Sequence, residues 1–248
     1  MALLAGTAFC QNDAGLVWYG LTPGTAVSGA VHNTARTYTT VASTSNSIII
    51  SGGVATSTLT TGGAFINLGT NFYNDVLAGS SELTLSVWVK STNIAAIFAL
   101  FGNVFSAGSN TGNINAAILA HNRVQFYVQT HSATNYIGYD KSLTTTLTNK
   151  LWNHLVFIWA GHSGRTNLGL VVNGIGQTTT LIRSGAGANI TNLAPCNSHF
   201  RIASFANSAN PYIANTRVMT KVGIYNRALK TNEVQDLYIR ELATLPPP

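Results

Sequence analysis

Apolar and polar residues alternate with a period of two along much of this chain. In LTLSVWVK (83–90) the aliphatic residues take every second position, and in RVQFYVQT (123–130) Val, Phe and Val alternate with Gln, Tyr and Gln. This period indicates half-buried β-strands. Similar runs recur from LVWY (16–19) to YIANTRVMTKVGIY (212–225), separated by Gly, Asn and Ser. Because no helical pattern lies between them, the spacing predicts an antiparallel meander or Greek-key sandwich.

Local signals place turns and buried segments within this pattern. The stretches AHNRV (120–124) and VNGIGQ (172–177) read as hairpin turns, in which Asn and Gly supply positive φ. The run AAIFALFGNVF (95–105) is apolar enough for a sheet interior or an assembly interface. The segment 22–63 carries weaker signals and is predicted to be a strand-bearing arm or a surface excursion.

The stretch VGIYNRALKTNEVQDLY (222–238) leads from a strand into the one clear amphipathic pattern. It predicts a helix over 231–241 that docks on the sandwich through Val234, Leu237, Tyr238 and Leu242. The acids of this helix, Glu233, Asp236 and Glu241, are expected on its solvated face. The final LPPP cannot continue a helix and predicts an extended tail over 243–248.

Composition narrows the class of protein. The chain has 248 residues, of which 46% are hydrophobic and only 8% charged, against roughly 25% charged in an average domain. Its polar surface is therefore built from Ser, Thr, Asn and Gly, as is common in extracellular and virion proteins. The net charge of +6 comes from scattered Lys and Arg, so we expect no nucleic-acid partner.

The termini and the cysteines give little further information about the class of protein. The start MALLAGTAFC has no basic region and a short apolar stretch, so we expect neither a signal peptide nor a lipid anchor. No run approaches the roughly 18 apolar residues of a membrane span, and we expect no membrane partner. Cys10 and Cys196 fit either one bridge or two separate thiols.

Four stretches together resemble the laminin G-like, concanavalin A-like jelly-roll family. They are LTLSVWVKS, LWNHLVFIWAG, GLVVNGIGQ and VGIYNRALKTNEVQDLY, in family order and spacing over roughly 60–240. The resemblance implies an all-β, concanavalin A-like jelly-roll sandwich of two antiparallel sheets with one short C-terminal helix. Residues 64–242 would form the core, and 1–63 would add an N-terminal strand and arm to the same domain.

Two positions depart from the family pattern. Lys230 stands where a helix-capping Ser is usual, so Thr231 or Glu233 would have to cap instead. The N-terminal LVWYGLTPG lacks the family's acid. Some members bind Ca²⁺ at the rim through a carboxylate and carbonyls. With seven acids in the chain, we predict no metal site and no other cofactor, with Ca²⁺ kept as an alternative.

The chemistry-bearing residues argue against catalysis. Glycosidases need two carboxylates about 5–10 Å apart, and the family's catalytic E-x-D-x-x-E string is absent. A site from Asp75, Glu82 and Asp140 is the enzymatic alternative. The six His include no H-x-H or H-x-x-x-H pair, and the resemblance implies a structural role for His154. We predict a non-enzyme with no catalytic residues.

Ligand binding is a separate hypothesis. Sugar sites on such folds use an aromatic platform with Asn, Asp or backbone groups, and Tyr136, Tyr139 and Asp140 cluster at one predicted strand end. These three are the predicted ligand-binding residues. Trp18, Trp88 and Tyr212 are further aromatic candidates, against which stands the ordinary role of core or inter-subunit packing.

Two functional hypotheses follow. The first is a non-enzymatic virion structural protein at the virion surface, such as a phage capsid decoration, head fibre or tail appendage. It would contact other virion proteins, assemble as a homo-oligomer and touch host glycans. The second is an extracellular carbohydrate-binding lectin or adhesin module, with Ca²⁺ dependence as a variant.

Overall fold

The computed structural model describes most of the predicted strands and the C-terminal helix. The described residues are 14–20, 41–42, 48–51, 54–57, 66–68, 72–91, 98–103, 113–119, 123–129, 136–143, 147–148, 150–161, 168–179, 181–184, 190–196, 200–203 and 217–246.

Among the described residues, strand follows strand, with one π-helical turn between them, until the C-terminal helix. The strands are β1 (Leu16–Gly20), β2 (Val41–Ala42), β3 (Ile48–Ser51), β4 (Val54–Ser57), β5 (Ile66–Leu68), β6 (Leu83–Ser91), β7 (Phe98–Asn103), β8 (Asn113–Leu119), β9 (Arg123–Gln129), β10 (Tyr136–Ser142), β11 (Asn153–Trp159), β12 (Leu168–Val172), β13 (Ile175–Gln177), β14 (Leu181–Ser184), β15 (Phe200–Ile202) and β16 (Arg217–Tyr225). A π-helical turn spans Tyr73–Leu77, and the helix α1 spans Thr231–Leu242.

These strands form two eight-stranded antiparallel sheets. The first sheet has the order β13-β12-β11-β6-β16-β4-β3, with β1 also paired to β16. The second has the order β14-β10-β9-β8-β7-β15-β5-β2. The predicted jelly-roll sandwich with one C-terminal helix is confirmed. Within the arm predicted over 22–63, β3 and β4 extend the first sheet and β2 extends the second.

The core lies between the inner faces of the two sheets. Val124, Phe126 and Val128 of β9 are fully buried there, and the Phe126 ring lies 5.6 Å from that of Phe157 in β11. Burying each such side chain contributes roughly 1.5–3 kcal/mol. The alternation predicted for this strand is confirmed. Within the apolar run at 95–105, predicted for a sheet interior or an assembly interface, residues 98–103 form β7 and are all buried.

The first sheet is buried on its outer face as well, because α1 packs across it. Val234 and Leu237 of the helix join Leu16, Val156 and Val171 of the sheet in a second apolar cluster. The side chains of β6 are therefore buried on both faces except at Lys90.

Two predictions for the helix were wrong. Leu242, predicted to dock, is 47% exposed, and Glu241, predicted on the solvated face, is 2% exposed. Glu241 lies at nearly the same angle around the helix as Val234, seven residues earlier, because seven residues make almost two turns. Its carboxylate therefore points into the sheet.

Local contacts fix where the helix begins. The backbone N of Lys230 donates to Glu233 Oε2 at 2.7 Å, so Glu233 caps the first turn, as the sequence allowed. Both Glu233 oxygens also accept from the Arg227 guanidinium, at 2.7 and 2.8 Å. Hydrogen bonding by Arg227 lowers the pKa of Glu233. The lysine side chain has no acceptor atom with which to cap.

The predicted hairpin at 172–177 joins β12 to β13 through Asn173 and Gly174, at φ 51° and 76°. The predicted turn at 120–122 lies outside the described residues, although β8 and β9 on either side of it pair in register.

Cys196 is buried, with its Sγ 3.4 Å from Asn103 Nδ2. Cys10 lies outside the described residues, so the predicted alternatives for the two cysteines both stand. Among the helical residues described, none belongs to a helix long and apolar enough to cross a membrane.

Candidate ligand-binding face

Strand pairing lines up polar and aromatic side chains on the outer face of the second sheet. The register of β8, β9 and β10 places Asn115, Tyr127 and Gly138 in one row across the strands. In the neighbouring row Gln125 lies opposite Asp140. We call these five residues the Tyr127 platform. Because the residues on either side of them along β9 point into the core, these side chains face outward.

The ring of Tyr127 lies over the backbone of Gly138. A Cβ atom at Gly138 would stand 1.8 Å from Tyr127 Cδ1, so only glycine permits this placement. The Tyr127 hydroxyl accepts a hydrogen bond from Gln125 Nε2 at 3.1 Å. The ring is half-buried and held at both ends, which makes it a fixed aromatic surface rather than a free side chain.

A paired carboxylate borders the platform. Arg123 donates to both oxygens of Asp140, with Nε 2.9 Å from Oδ1 and Nη2 in contact with Oδ2. The Asp140 side chain is 11% exposed and that of Arg123 is 46% exposed. The pairing fixes the carboxylate while each oxygen keeps a lone pair for another donor.

On the other side of Tyr127, the row of residues that face each other across the strands extends to the positively charged Arg201. Arg201 in β15 lies opposite Gly102, which lies opposite Asn115. Burial lowers the pKa of Arg201. Asn115 Oδ1 is itself buried and accepts no hydrogen bond from the described residues. A buried amide oxygen of this kind gains from any donor that reaches it.

The three residues predicted to bind a ligand have different positions. Asp140 lies on the platform, and Tyr136 begins β10 opposite Gln129. Tyr139 is fully buried in the core, where its ring lies 5.8 Å from that of Phe126 and its hydroxyl donates to the Gly169 carbonyl at 3.3 Å. The prediction for Tyr139 as a ligand contact was wrong, because odd positions of β10 point inward.

Sequence reasoning did not select Tyr127 as a candidate, although the signal was present. The alternation in RVQFYVQT already places Tyr127 on the face opposite to Val124, Phe126 and Val128. Of the other aromatic candidates, Trp18 and Trp88 are each 1% exposed. Tyr212 lies outside the described residues.

The carboxylates considered for catalysis are distributed over the molecule. Asp75 is exposed in the π-helical turn, and Glu82 accepts from the Ala228 backbone N at 2.9 Å beside the first sheet. Asp140 belongs to the second sheet, paired with Arg123. Within the described part of the chain, no group of three or more His, Cys, Asp or Glu could hold a metal ion.

A buried polar cluster under α1 contains the residue types of a catalytic triad. His154 Nε2 lies 2.8 Å from Ser86 Oγ and 3.7 Å from Glu241 Oε2. Trp88 Nε1 and the Tyr19 hydroxyl donate to the two Glu241 oxygens at 2.6 and 2.7 Å. All the members except Tyr19 are fully or almost fully buried. In a catalytic triad the acid binds the histidine ring nitrogen that does not face the serine. Here Ser86 and Glu241 both lie near Nε2 of His154. The cluster therefore lacks the geometry of a triad, and its contacts hold α1 on the sheet.

Burial sets the protonation of this cluster. It raises the pKa of Glu241 to about 7 and lowers that of His154 to about 3. The His154 ring stacks on Trp88 at 4.7 Å, and Trp88 stacks on Tyr238 at 5.4 Å. The structural role that the resemblance implied for His154 agrees with these contacts.

Comparisons with known proteins agree with this architecture. A family model described as the concanavalin A-like lectin/glucanases superfamily matches residues 60–235. No curated protein matches the sequence.

Solved structures share the fold at low identity. The receptor-binding domain of botulinum neurotoxin D has a TM-score of 0.62 at 9% identity, covering 93% of this chain and 54% of that one. A botulinum neurotoxin serotype D ligand-binding domain in complex with N-acetylneuraminic acid has a TM-score of 0.61 at 12% identity, over 93% and 52%. A Trypanosoma rangeli sialidase in complex with sialic acid has 0.59 at 14%, over 92% and 33%. This chain thus spans about half of each toxin domain and a third of the sialidase chain.

Proposed function

Because the chain belongs to the concanavalin A-like lectin/glucanases superfamily, we propose that it is a non-enzymatic carbohydrate-binding module. The observation that carries the proposal is the Tyr127 ring fixed over Gly138, with a paired carboxylate and amides around it. Two of the structures that share its fold were solved with a sialic acid bound.

The platform has the chemistry that sugar recognition needs. An aromatic face packs against the C–H face of a pyranose ring, because the ring quadrupole attracts the positive edge of C–H bonds. Asp140, Asn115 and Gln125 supply acceptors and donors for hydroxyl groups in fixed directions. Fixed polar groups around an apolar surface are the usual composition of a small-molecule site.

The distribution of the acids supports a binding role without catalysis. Glu82 and Asp140 lie on different sheets, and each already accepts hydrogen bonds from the protein. A glycosidase would need two such groups on either side of one bond.

The test is a glycan array with the purified protein, run with Ca²⁺ and again with EDTA, followed by calorimetric titration of the best ligand. We expect Tyr127→Ala to weaken binding roughly tenfold, and Asp140→Asn to weaken it further by releasing Arg123. Tyr127→Phe keeps the ring and should retain most of the affinity. Tyr136→Ala tests the other predicted aromatic.

Defined outcomes would contradict the proposal. One is that no glycan on the array binds, either with Ca²⁺ or with EDTA. Another is that the Tyr127→Ala and Asp140→Asn variants, while still folded, bind as the wild type does. Loss of binding in EDTA alone would add a calcium ion, which the sequence kept as an alternative.

The virion role, homo-oligomerisation and virion-surface location predicted from the sequence stay predictions, since the family match and the three structures above do not bear on them. The two hypotheses are compatible, because a virion protein can also bind host glycans. Immunogold labelling of particles from the source culture would test the virion role independently of any glycan.

A further inference from the structure

The Tyr127 ring turns one of its faces outward from the second sheet. A Cβ atom at Gly138 would stand 1.8 Å from Tyr127 Cδ1 and 2.5 Å from Cε1, so one long edge of the ring lies where β10 would otherwise carry a side chain. The ring therefore leans across the neighbouring strand instead of standing away from the sheet. A sugar stacked on its outer face would lie along the sheet, with its edge at the level of the neighbouring side chains.

The pair formed by Arg123 and Asp140 borders this ring on one side. Arg123, Gln125 and Tyr127 follow one another at every second position of β9, and Asp140 lies opposite Gln125. Residues two positions apart on a strand are separated by about 7 Å. One edge of a stacked sugar would therefore face the pair.

The pair presents an acceptor beside a donor. An ionised carboxylate only accepts hydrogen bonds, and a guanidinium only donates them. Arg123 uses Nε and Nη2 for Asp140, so Nη1 lies outside this pairing. Its side chain is 46% exposed, against 11% for that of Asp140. Because a hydroxyl group both donates and accepts, two adjacent hydroxyls of a neutral sugar would satisfy both members of the pair.

An acidic group is a poor partner for the same pair. A carboxylate or a sulfate has no proton to donate at neutral pH, so it would leave Asp140 without a donor and place a second negative charge beside it. Like charges brought together at a binding site oppose binding. The positive charge of Arg123 would attract an acid, but Asp140 already compensates it.

Three other cations lie in the described strands of the second sheet. Lys141 pairs with the core residue Val124, so it belongs to the opposite face. Arg201 interacts with other groups of the protein and lies three strands from Tyr127, roughly 14 Å away, which exceeds the Debye length of about 8 Å at physiological ionic strength. Arg183 takes the register position opposite Gly138 in the edge strand β14 and is the residue to test for an acidic ligand.

We propose that the Tyr127 platform selects neutral sugars over acidic ones, an inference that rests on the carbohydrate-binding function proposed for this chain. The ligand would be a pyranose stacked on Tyr127, with two adjacent hydroxyls at its edge. One hydroxyl would donate to Asp140, and the other would accept from Arg123. Asp140 thus determines the charge of the ligand, and it does so by excluding the anionic competitor.

The test uses glycans in matched pairs whose members differ only in one acidic group, such as glucosides and glucuronides, or the same glycan with and without a sulfate. The full chain is applied to an array of such pairs, and the affinity for the pairs that bind is then measured by calorimetric titration. We expect the acidic member of each pair to bind about tenfold more weakly than the neutral one.

Asp140→Asn gives a readout that a merely structural role would not produce. It removes the negative charge and leaves that of Arg123 uncompensated, so acidic members should bind more tightly than they bind the wild type, while neutral members bind more weakly. The ratio of neutral to acidic affinity should fall about tenfold. Asp236→Asn removes the same charge from an exposed position on α1 and should leave the ratio unchanged.

The possible failures are distinguishable. If acidic members bind the wild type as tightly as neutral ones or more tightly, this inference is overturned and the carbohydrate-binding function stands; loss of that binding in Arg183→Gln would assign the acidic ligand to Arg183. If Asp140→Asn weakens both members equally, Asp140 does not select by charge, and the inference is again overturned. If no glycan binds, both the inference and the proposed function fail.

Discussion

The pair formed by Glu241 and His154 predicts a specific pH dependence of stability. Burial moves the pKa of Glu241 up from 4.5 to about 7 and that of His154 down from 6.5 to about 3. Taken alone, Glu241 contributes stability below pH 4.5 that is lost as the pH rises towards 7. Taken alone, His154 contributes stability above pH 6.5 that is lost as the pH falls towards 3.

In the wild type these two dependences cancel. Between pH 4.5 and 6.5 the folded pair holds one proton, on Glu241, and the unfolded chain also holds one, on His154. Stability changes with pH only where folding takes up or releases protons. The contribution of the pair to the free energy of unfolding is therefore flat over this range.

When one residue of the pair is replaced, the pH dependence of stability that comes from the other is no longer cancelled. In Glu241→Gln the unfolded chain alone binds the proton, so the free energy of unfolding rises by about 1.4 kcal/mol per pH unit, or about 3 kcal/mol over two units. In His154→Gln the folded chain alone binds it, and the free energy of unfolding falls by the same amount. The double variant should again be flat.

Equilibrium urea unfolding at pH 4.5, 5.5 and 6.5, followed by tryptophan fluorescence, measures this. Subtracting the wild-type profile cancels the other titrating groups, and a constant loss from weaker packing shifts a variant without changing its slope. If both single variants run parallel to the wild type, the buried pair does not hold the protons as described. If Glu241→Gln runs parallel to the wild type while His154→Gln falls relative to it, the carboxylate of Glu241 is ionised in the fold.

Three further changes test local features. Gly138→Ala should lower stability by about 2 kcal/mol in urea unfolding, because the new Cβ meets Tyr127; an unchanged midpoint would mean that the ring does not lie there. Lys230→Ser should raise stability by about 1 kcal/mol in thermal unfolding by capping the helix with its hydroxyl, and no gain would mean that this end is already satisfied. Asn173→Ala should cost about 2 kcal/mol, because Asn173 is at φ 51° and accepts from the His154 backbone N at 2.7 Å. Asn173→Gly keeps the turn and should cost less; an equal cost would assign the effect to the hydrogen bond alone.

The sequence predicted the sandwich from the strands that bury one face only. In β9 the core positions are apolar and the outer ones polar, so the period of two shows directly in the letters. The turn at Asn173 and Gly174 was predictable for a similar reason, since few residues other than Asn and Gly accept positive φ.

The faces covered by α1 could not be predicted in this way. Thr84, Ser86 and Trp88 look like a solvent-facing edge of β6, yet each is buried because a helix far along the chain covers them. The same long-range packing buries Glu241, although a glutamate is expected at the surface from its residue type alone. The sequence selected Asp140 of the platform as a ligand-binding residue, which stays a prediction, whereas choosing Tyr127 over Tyr139 required the register of β10.

The position of β16 has a consequence for how the chain reaches this fold. Residues 217–225 form the centre of the first sheet, where they pair with β6 on one side and with β4 and β1 on the other. Until the ribosome has released this late segment, β6 lacks a neighbour on that side and β1 has no partner in the sheet. Such distant pairings make folding slow and leave apolar strand edges open in the nascent chain. The first sheet thus cannot be completed before residues 217–225 are available to pair with β6, β4 and β1.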